Sequence, residues 1–390
     1  MKQLNKRTRE RKIYTLVIVL TMIFCLLNPE FYTLNSKNKK KEVEFFENKI
    51  GLKNSIISGK IYINNWSSAV EAGICTGSGT FSDPYVVKDL IIDGEGTGTG
   101  ILIEHSKNFY FRIENCTIFN CETGISLTLV NNGTLYRNNC SFNTNGIYLD
   151  FPNNPSQEAL QYNKNNTILE NIANNNTDNG IFLGPHCNDS RIIANTINNN
   201  KYGINLWGSH RHNNIIIGNT ANKNLRGIYI DCHGNENNYS IISNNILYNN
   251  KDYGIVLAGF CYNLTGNIMK GSGLCLGPNN IEAMSYLKID SSNLVNNKHI
   301  YYYINKSNLG QDNFINAGQI YLVNCRNSII SDVDVSYASL GIVLYHSNNI
   351  TVMNVNSSNN HYGIFLYNTN HSYTMENIIT KNYLGVEMGV

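Results

Sequence analysis

Charged side chains are few in this chain. Asp, Glu, Lys and Arg make up 15% of the 390 residues, against the usual quarter or so. The two signs nearly cancel, 30 Lys and Arg against 28 Asp and Glu, for a net +2. A nucleic-acid partner held by counterion release needs a basic stripe, so that class of function is set aside. Proline is reduced to 6 residues. Ala and Leu are sparse while Asn is about one residue in six, a composition that argues against a helical protein. Disorder is excluded as well, because 42% of the residues are hydrophobic and can fill a large core.

The amino terminus carries a targeting pattern. Lys2, Lys6, Arg7, Arg9, Arg11 and Lys12 form a basic leader over residues 1–12, followed by the uncharged run IYTLVIVLTMIFCLL from Ile13 to Leu27. A basic flank before a short apolar run reads as a signal peptide or a signal-anchor over residues 13–32. The run is shorter than the roughly 20 residues that span a bilayer comfortably, and no small-x-small cleavage site follows it, so both readings stay open. Either way the positive end stays inside and the remainder is exported, through a charged linker over residues 33–54. The expected location is membrane-anchored or secreted, with a membrane contact through the N-terminal segment alone.

The body repeats itself. A Gly-aliphatic-x-aliphatic signature recurs at Gly100, Gly124, Gly146, Gly180, Gly203, Gly227 and Gly254, and again at Gly318, Gly341, Gly363 and Gly385, mostly in steps of about 22 to 24 residues. Midway between them, short aliphatic runs close on Asn115, Asn171, Asn195, Asn219 and Asn244. Each piece is too short for a helix and alternates as a strand does. The fold class expected is all-β: a right-handed parallel β-helix of about 12–13 coils with three short strands each. The paired aliphatics point inward, Asn and Gly serve the corners, and corner amides bond the amides above and below. A leucine-rich-repeat frame is absent. Residues 55–93 are expected to cap the first coil and residues 94–390 to form the coils. An insertion around Phe151–Asn163 and an irregular stretch between Gly254 and Gly318 break the period. The chain stops at Val390 inside a coil, which reads as a truncated carboxyl end.

The segment GSGTFSDPYVV (Gly77 to Val87), followed by Leu90-Ile-Ile-Asp-Gly94 and Asn-rich coils, resembles the NosD-type right-handed parallel β-helix family of the pectin-lyase-like superfamily. A later stretch, Asn296 to Tyr303 and Ala317-Gly-Gln to Cys325, is similar to a family segment with Gly and Pro where Asn297 and His299 stand here. The resemblance implies an exported prokaryotic surface protein. The name-giving relatives assist maturation of a copper enzyme, and others in the superfamily cleave or bind polysaccharides. Fold alone does not choose among these.

Three residue sets are candidates for chemistry. His186, Cys187, His210, His212, Asp231, Cys232 and His233, with Cys261, follow the Gly-Ile-x-Leu strand in consecutive coils, and His and Cys are ligands for zinc or copper. Tight ligand spacings are lacking, and exposed corner residues are the plain alternative. Tyr148, Phe182, Asn205 and Tyr229 take the outward x position, with Trp207 beside them, as a sugar-stacking row or as a ladder that only stabilises the sheet. Glu104, Asp150 and Asp231 hold equivalent positions. At about 4.8 Å per coil Asp150 and Asp231 stand roughly 14 Å apart, and Glu104 and Asp150 about 10 Å. Glycosidase pairs need about 5 to 9.5 Å. Asp332 and Asp334, two apart, read as a solvated pair on a strand. Cys116 and Cys140 read as adjacent-coil neighbours, bonded or simply packed. The reading leans to a non-catalytic module for adhesion or for an extracellular glycan, with a polysaccharide lyase or hydrolase and a copper-handling accessory as alternatives.

Overall fold

A computed structural model describes residues 55–150, 163–209, 212–231, 239–259, 262–277 and 281–389. The leader, the apolar segment and the linker lie outside the described residues, as do most of the Phe151–Asn163 insertion, His210, Cys232, His233, Cys261 and Val390. Among the described residues no helix is long and apolar enough to cross a membrane.

The chain winds as a right-handed parallel β-helix of about 12 turns, as the repeat requires. Its glycine signature forms one nine-stranded sheet, from Ile61–Ile63 through Thr99–Glu104, Thr123–Thr128, Asn145–Asp150, Asn179–Leu183, Tyr202–Trp207, Arg226–Asp231 and Tyr253–Ala258 to Leu274–Leu276. A second nine-stranded sheet runs from Tyr85–Lys88 to Lys288–Ile289. The third side is thinner and in places falls to single bridges, as at Asn139, Ile172, Thr196 and Thr220. Each aliphatic pair faces the axis: Ile101 and Ile103, Ile147 and Leu149, Ile204 and Leu206, and Ile228 and Ile230 are all buried in one core. At the amino-terminal end the short helix Trp66–Glu71, capped by Asn65 Oδ1 accepting from the Ser68 amide at 3.1 Å, sends Trp66 into this core. The Trp66 ring stacks on Tyr85 at 4.7 Å.

The corners after the second sheet have two separate jobs, and asparagine holds the second. One residue turns the chain in the left-handed region; it is Arg137, Glu170, Ala194, Gly218, Asn244 and Gly266 in successive coils. The next residue is a buried Asn whose amide ladders: Asn138, Asn171, Asn195, Asn219, Asn245 and Asn267, with Asn293 continuing the ladder. In Asn219 the Oδ1 accepts from the Asn195 backbone and side chain, each at 2.9 Å. Its Nδ2 donates to the Ile192 carbonyl at 2.8 Å and to Asn245 Oδ1 at 3.0 Å. A second ladder runs through Asn143, Asn176, Asn200, Asn224 and Asn250. These amides satisfy backbone groups that the bends take out of the sheets, where an unpaired group is costly.

The landmark glycines are present for room and not, as expected, for corner angles. A Cβ on Gly227 would stand 2.6 Å from the Gly254 carbonyl oxygen and 2.8 Å from Asn250 Nδ2. The second ladder passes over Gly124, Gly146, Gly180, Gly203 and Gly227 too closely for a side chain, while at Gly100 and Gly254 the space is taken by Ile118 and Met269.

The stack is not one uninterrupted coil. Leu294–Val295 pairs antiparallel with the start of Lys298–Ile304, joined by Asn296 and Asn297 at φ 53° and 63°. Two positive-φ residues are the requirement of a tight hairpin turn, so Asn297 keeps the turn that a Gly would make. His299 donates its backbone N–H to Asn316 O at 3.0 Å, a bond that a Pro could not form. The chain thus reverses. Lys298–Ile304, Ala317–Val323, Leu340–Tyr345, Tyr362–Tyr367 and Leu384–Gly389 extend the third sheet and build a second set of coils. Gly318 to Gly385 therefore lie in a different sheet from Gly100 to Gly254. The core of this second set is formed by Phe314, Ile320, Leu322, Ile330, Ile342, Leu344, Ile350 and Val352.

The opposite side of the same sheet closes the first stack. Tyr321, Val323, Val343 and Tyr345 join the first core. Gln319, fully buried, accepts from the Leu274 amide at 2.9 Å and donates to the Leu274 carbonyl at 2.6 Å. Its amide thus takes the place of the next backbone strand at the edge of the glycine sheet, and Tyr321 OH adds a bond to the same carbonyl at 2.8 Å.

Three stability outcomes are expected in denaturant titrations followed by circular dichroism. Asn219→Leu leaves several buried polar groups unpaired and costs at least about 3 kcal/mol. Ala194→Gly relieves a left-handed alanine at φ 54° and gains about 0.5–1 kcal/mol. Gln319→Leu costs about 2 kcal/mol by orphaning the Leu274 amide, and it loosens protection of residues 253–276 in hydrogen exchange before that of residues 101–149.

Candidate functional site

The outward side of the glycine sheet carries three columns in strict register. The middle one reads Tyr62, Leu102, Ser126, Tyr148, Phe182, Asn205, Tyr229, Val256 and Cys275. Beside it run Glu104, Thr128, Asp150, Trp207, Asp231 and Ala258. On the other flank, at the residue before each glycine, stand Thr99, Thr123, Asn145, Asn179, Tyr202, Arg226 and Tyr253.

The row Tyr148, Phe182, Asn205 and Tyr229 is therefore assembled, but less openly than a stacking platform would be. Tyr148 and Phe182 stack at 4.3 Å. Phe182 and Asn205 are only 8% and 7% exposed, while Trp207 is 49% exposed. The flank before the glycines supplies residues that the glycine-first reading of the repeat missed. Tyr202 meets Tyr229 at 5.3 Å, and the Arg226 guanidinium lies over the Tyr229 ring at 4.7 Å. Lys201 pairs with Asp178 at 3.3 Å. Extending the register one residue toward the amino terminus was the signal that would have found Tyr202 and Arg226.

A chain of amides crosses this patch. Asn179 donates to Asn145 Oδ1 and Asn205 donates to Asn179 Oδ1, both at 2.8 Å. The chain ends on Asn205 Oδ1, which is buried and has no hydrogen-bond partner among the described residues. Arg226 Nε is in the same condition. An acceptor and a donor left open on one face suit a ligand rich in hydroxyl groups.

The phenols are held protonated. Burial, then the hydrogen bond to Asp231, pushes Tyr229 up to about 12, against the opposing charge of Arg226. Tyr229 OH donates to Asp231 Oδ2 at 2.8 Å. Burial, then the charges of Asp150 and Asp178, raises Tyr148 to about 12. Tyr62 OH likewise donates to Glu104 at 2.8 Å. The carboxylates keep the register assumed for them, with Glu104 and Asp150 each opposite Thr128 in adjoining strands and Asp231 opposite Trp207. Asp150 and Asp231 are thus three strand spacings apart, about 14 Å, too far for a glycosidase pair.

The described part of the His and Cys set does not make a metal cradle. His186 sits at a left-handed corner, φ 61°, and the chain then turns Cys187 into the core, fully buried, with its thiol 3.9 Å from the Leu149 carbonyl. Among the described residues no three His, Cys, Asp or Glu side chains converge on a point that would hold copper or zinc. Cys116 and Cys140 are also not register mates. Thr117 bridges Asn139, so Cys140 lies above Ile118, and both thiols are free and buried. Burial pushes Cys116 up to about 12 and Cys140 well above the usual thiol range. These are core residues.

Comparison with solved structures finds similarity at low identity and low TM-score. The Azotobacter vinelandii mannuronan C-5 epimerase AlgE4 A-module is 13% identical with a TM-score of 0.27, over 89% of this chain and 92% of that one. The catalytic domain of a GH87 α-1,3-glucanase in complex with nigerose is 13% identical, TM-score 0.37, over 93% and 69%. An enzymatically active tailspike domain of bacteriophage CBA120 is 11% identical, TM-score 0.29, over 76% and 39%. At this level the likeness concerns fold alone. No curated protein sequence matches. Two family models do: the right handed beta helix region over residues 53–221, and the periplasmic copper-binding protein (NosD) over residues 158–313. With the coil described above, the two matches support a NosD-type right-handed β-helix.

Proposed function

We propose that this protein works outside the cytoplasm as a rigid module that binds a polysaccharide on the outer side of its glycine sheet, without turning it over. The observation that carries the reading is the patch from Tyr148 to Asp231. Stacked and tilted rings there frame Asn205 and Arg226, whose buried Oδ1 and Nε have no hydrogen-bond partner among the described residues. Aromatic faces supply apolar contact to a sugar ring, and the open acceptor and donor supply direction. The family's periplasmic description supports the location. The roughly 14 Å between Asp150 and Asp231 favours binding over hydrolysis.

Saturable binding to one polysaccharide in a glycan array or pull-down, with no reducing ends or unsaturated products released, is the expected result. Release of products would favour the enzyme reading instead. Trp207→Ala and Tyr229→Ala should each weaken binding about tenfold, the equivalent of about 1.4 kcal/mol. Because Tyr148 and Tyr229 are both raised to about 12, affinity should hold level from neutral pH up to the usual tyrosine range. The same raised values make stability fall as the pH climbs from about 10, where an unfolded tyrosine ionises, toward 12. Absorbance titration of the phenolates checks both points.

A further inference from the structure

A cleft of about 500 Å³ opens in the second set of coils, away from the glycine sheet. Such a volume falls in the range of small-molecule sites, about 300 to 1,000 Å³. One wall is the segment from Gln311 to Ala317, and the other runs from Ser331 to Asp334. Phe314, Ile315, Ala317 and Val333 give it an apolar lining.

Its polar groups are mostly acidic. Asp312, Asp332 and Asp334 face a single cation, Lys298, so the lining carries three negative charges and one positive, a net −2. Lys298 is already engaged by Asp334, at 3.1 Å to Oδ2 and 2.8 Å to the backbone carbonyl. That ion pair and the Ser336 contacts outweigh desolvation and hold Asp334 below the usual carboxylate range. Asp332 accepts only from the neutral amides of Gln311 and Asn354, which leave its charge uncancelled. Asp332 is a left-handed corner residue just past the strand Arg326–Ser331, so it and Asp334 are not neighbours on one strand as the spacing suggested. Asp312 has neither a hydrogen bond nor an ion pair among the described residues.

The independent observation is Ser331. On the strand Arg326–Ser331, Ser328 and Ile330 point into the core. Alternation then turns Ser331 to the other side, into the cleft that it lines. It is only 8% exposed, yet its hydroxyl has no hydrogen-bond partner among the described residues. The hydroxyl is therefore free to donate to, and accept from, a polar group that enters the cleft.

We propose that this cleft binds an amino-sugar unit. The ammonium would sit among Asp312 and Asp332, the ring against the apolar lining, and a ring hydroxyl on Ser331. The net charge selects against uronic acids and other anionic sugars. The site is separate from the glycine-sheet patch, and its test does not depend on that reading.

The full chain would be titrated calorimetrically with a glucosamine trimer, its N-acetylated counterpart and calcium chloride. The free-amine trimer should bind at least about tenfold more tightly than the acetylated one, the scale of one charge-assisted hydrogen bond. Asp312→Asn and Ser331→Ala should each weaken it severalfold to tenfold, with the Ser331→Ala unfolding midpoint unchanged or raised. The double variant Trp207→Ala/Tyr229→Ala should bind the trimer as well as the unaltered chain does. Equal affinity for both trimers, calcium saturating the cleft in the trimer's place, or a Ser331→Ala variant that is less stable but binds normally would each overturn the proposal.

Discussion

Parallel strands stacked in a coil must turn three times per circuit, and each turn removes backbone groups from the ladder of the sheet. What makes so many turns tolerable here is the buried asparagine amide. It has the donor and the acceptor of a peptide group, and it is mounted on the coil one level away from the groups it serves. Asn171, Asn195, Asn219, Asn245 and Asn267 repeat the arrangement with hydrogen bonds near 2.9 Å. The low charge of the chain follows from the same solution. A corner satisfied internally by amides has no need of ionic side chains, and a buried charge in their place would be expensive.

Much of this was legible in the sequence, because inward aliphatic pairs and period are properties of spacing alone. Ile147 and Leu149, or Ile228 and Ile230, are two apart and both buried. Three things were not legible. The hairpin at Asn296 and Asn297 looks like any other Asn-rich corner, since reversal depends on two successive left-handed residues where the usual corner has one. The inward turn of Cys187 depends on the left-handed His186 before it, which shifts the alternation by one residue. The glycines were assigned to backbone angle, although at Gly124 to Gly227 the constraint is the passage of a ladder amide overhead.

The candidate sites follow the same division. Register could align Tyr148, Phe182, Asn205 and Tyr229, because outward columns are as periodic as inward ones. It could not reveal how far Phe182 and Asn205 are covered, nor which polar atoms lack partners, because both depend on neighbours from other columns such as Asn179 and Arg226. The cleft around Ser331 lies wholly outside the column logic. It forms between a connection, Gln311 to Asn316, and the strand beneath it, and connections do not keep the period.

The side chain of Gln319 has a further consequence. A parallel sheet that simply stopped at Leu274–Leu276 would offer a row of open peptide groups, and a neighbouring molecule could add a strand to it and be copied in turn. Because one amide occupies both valences of Leu274 and Tyr321 crowds the same carbonyl, that edge cannot serve as a template. An arriving strand would have to displace these bonds at Leu274 first, which opposes edge-to-edge growth at this end of the first stack.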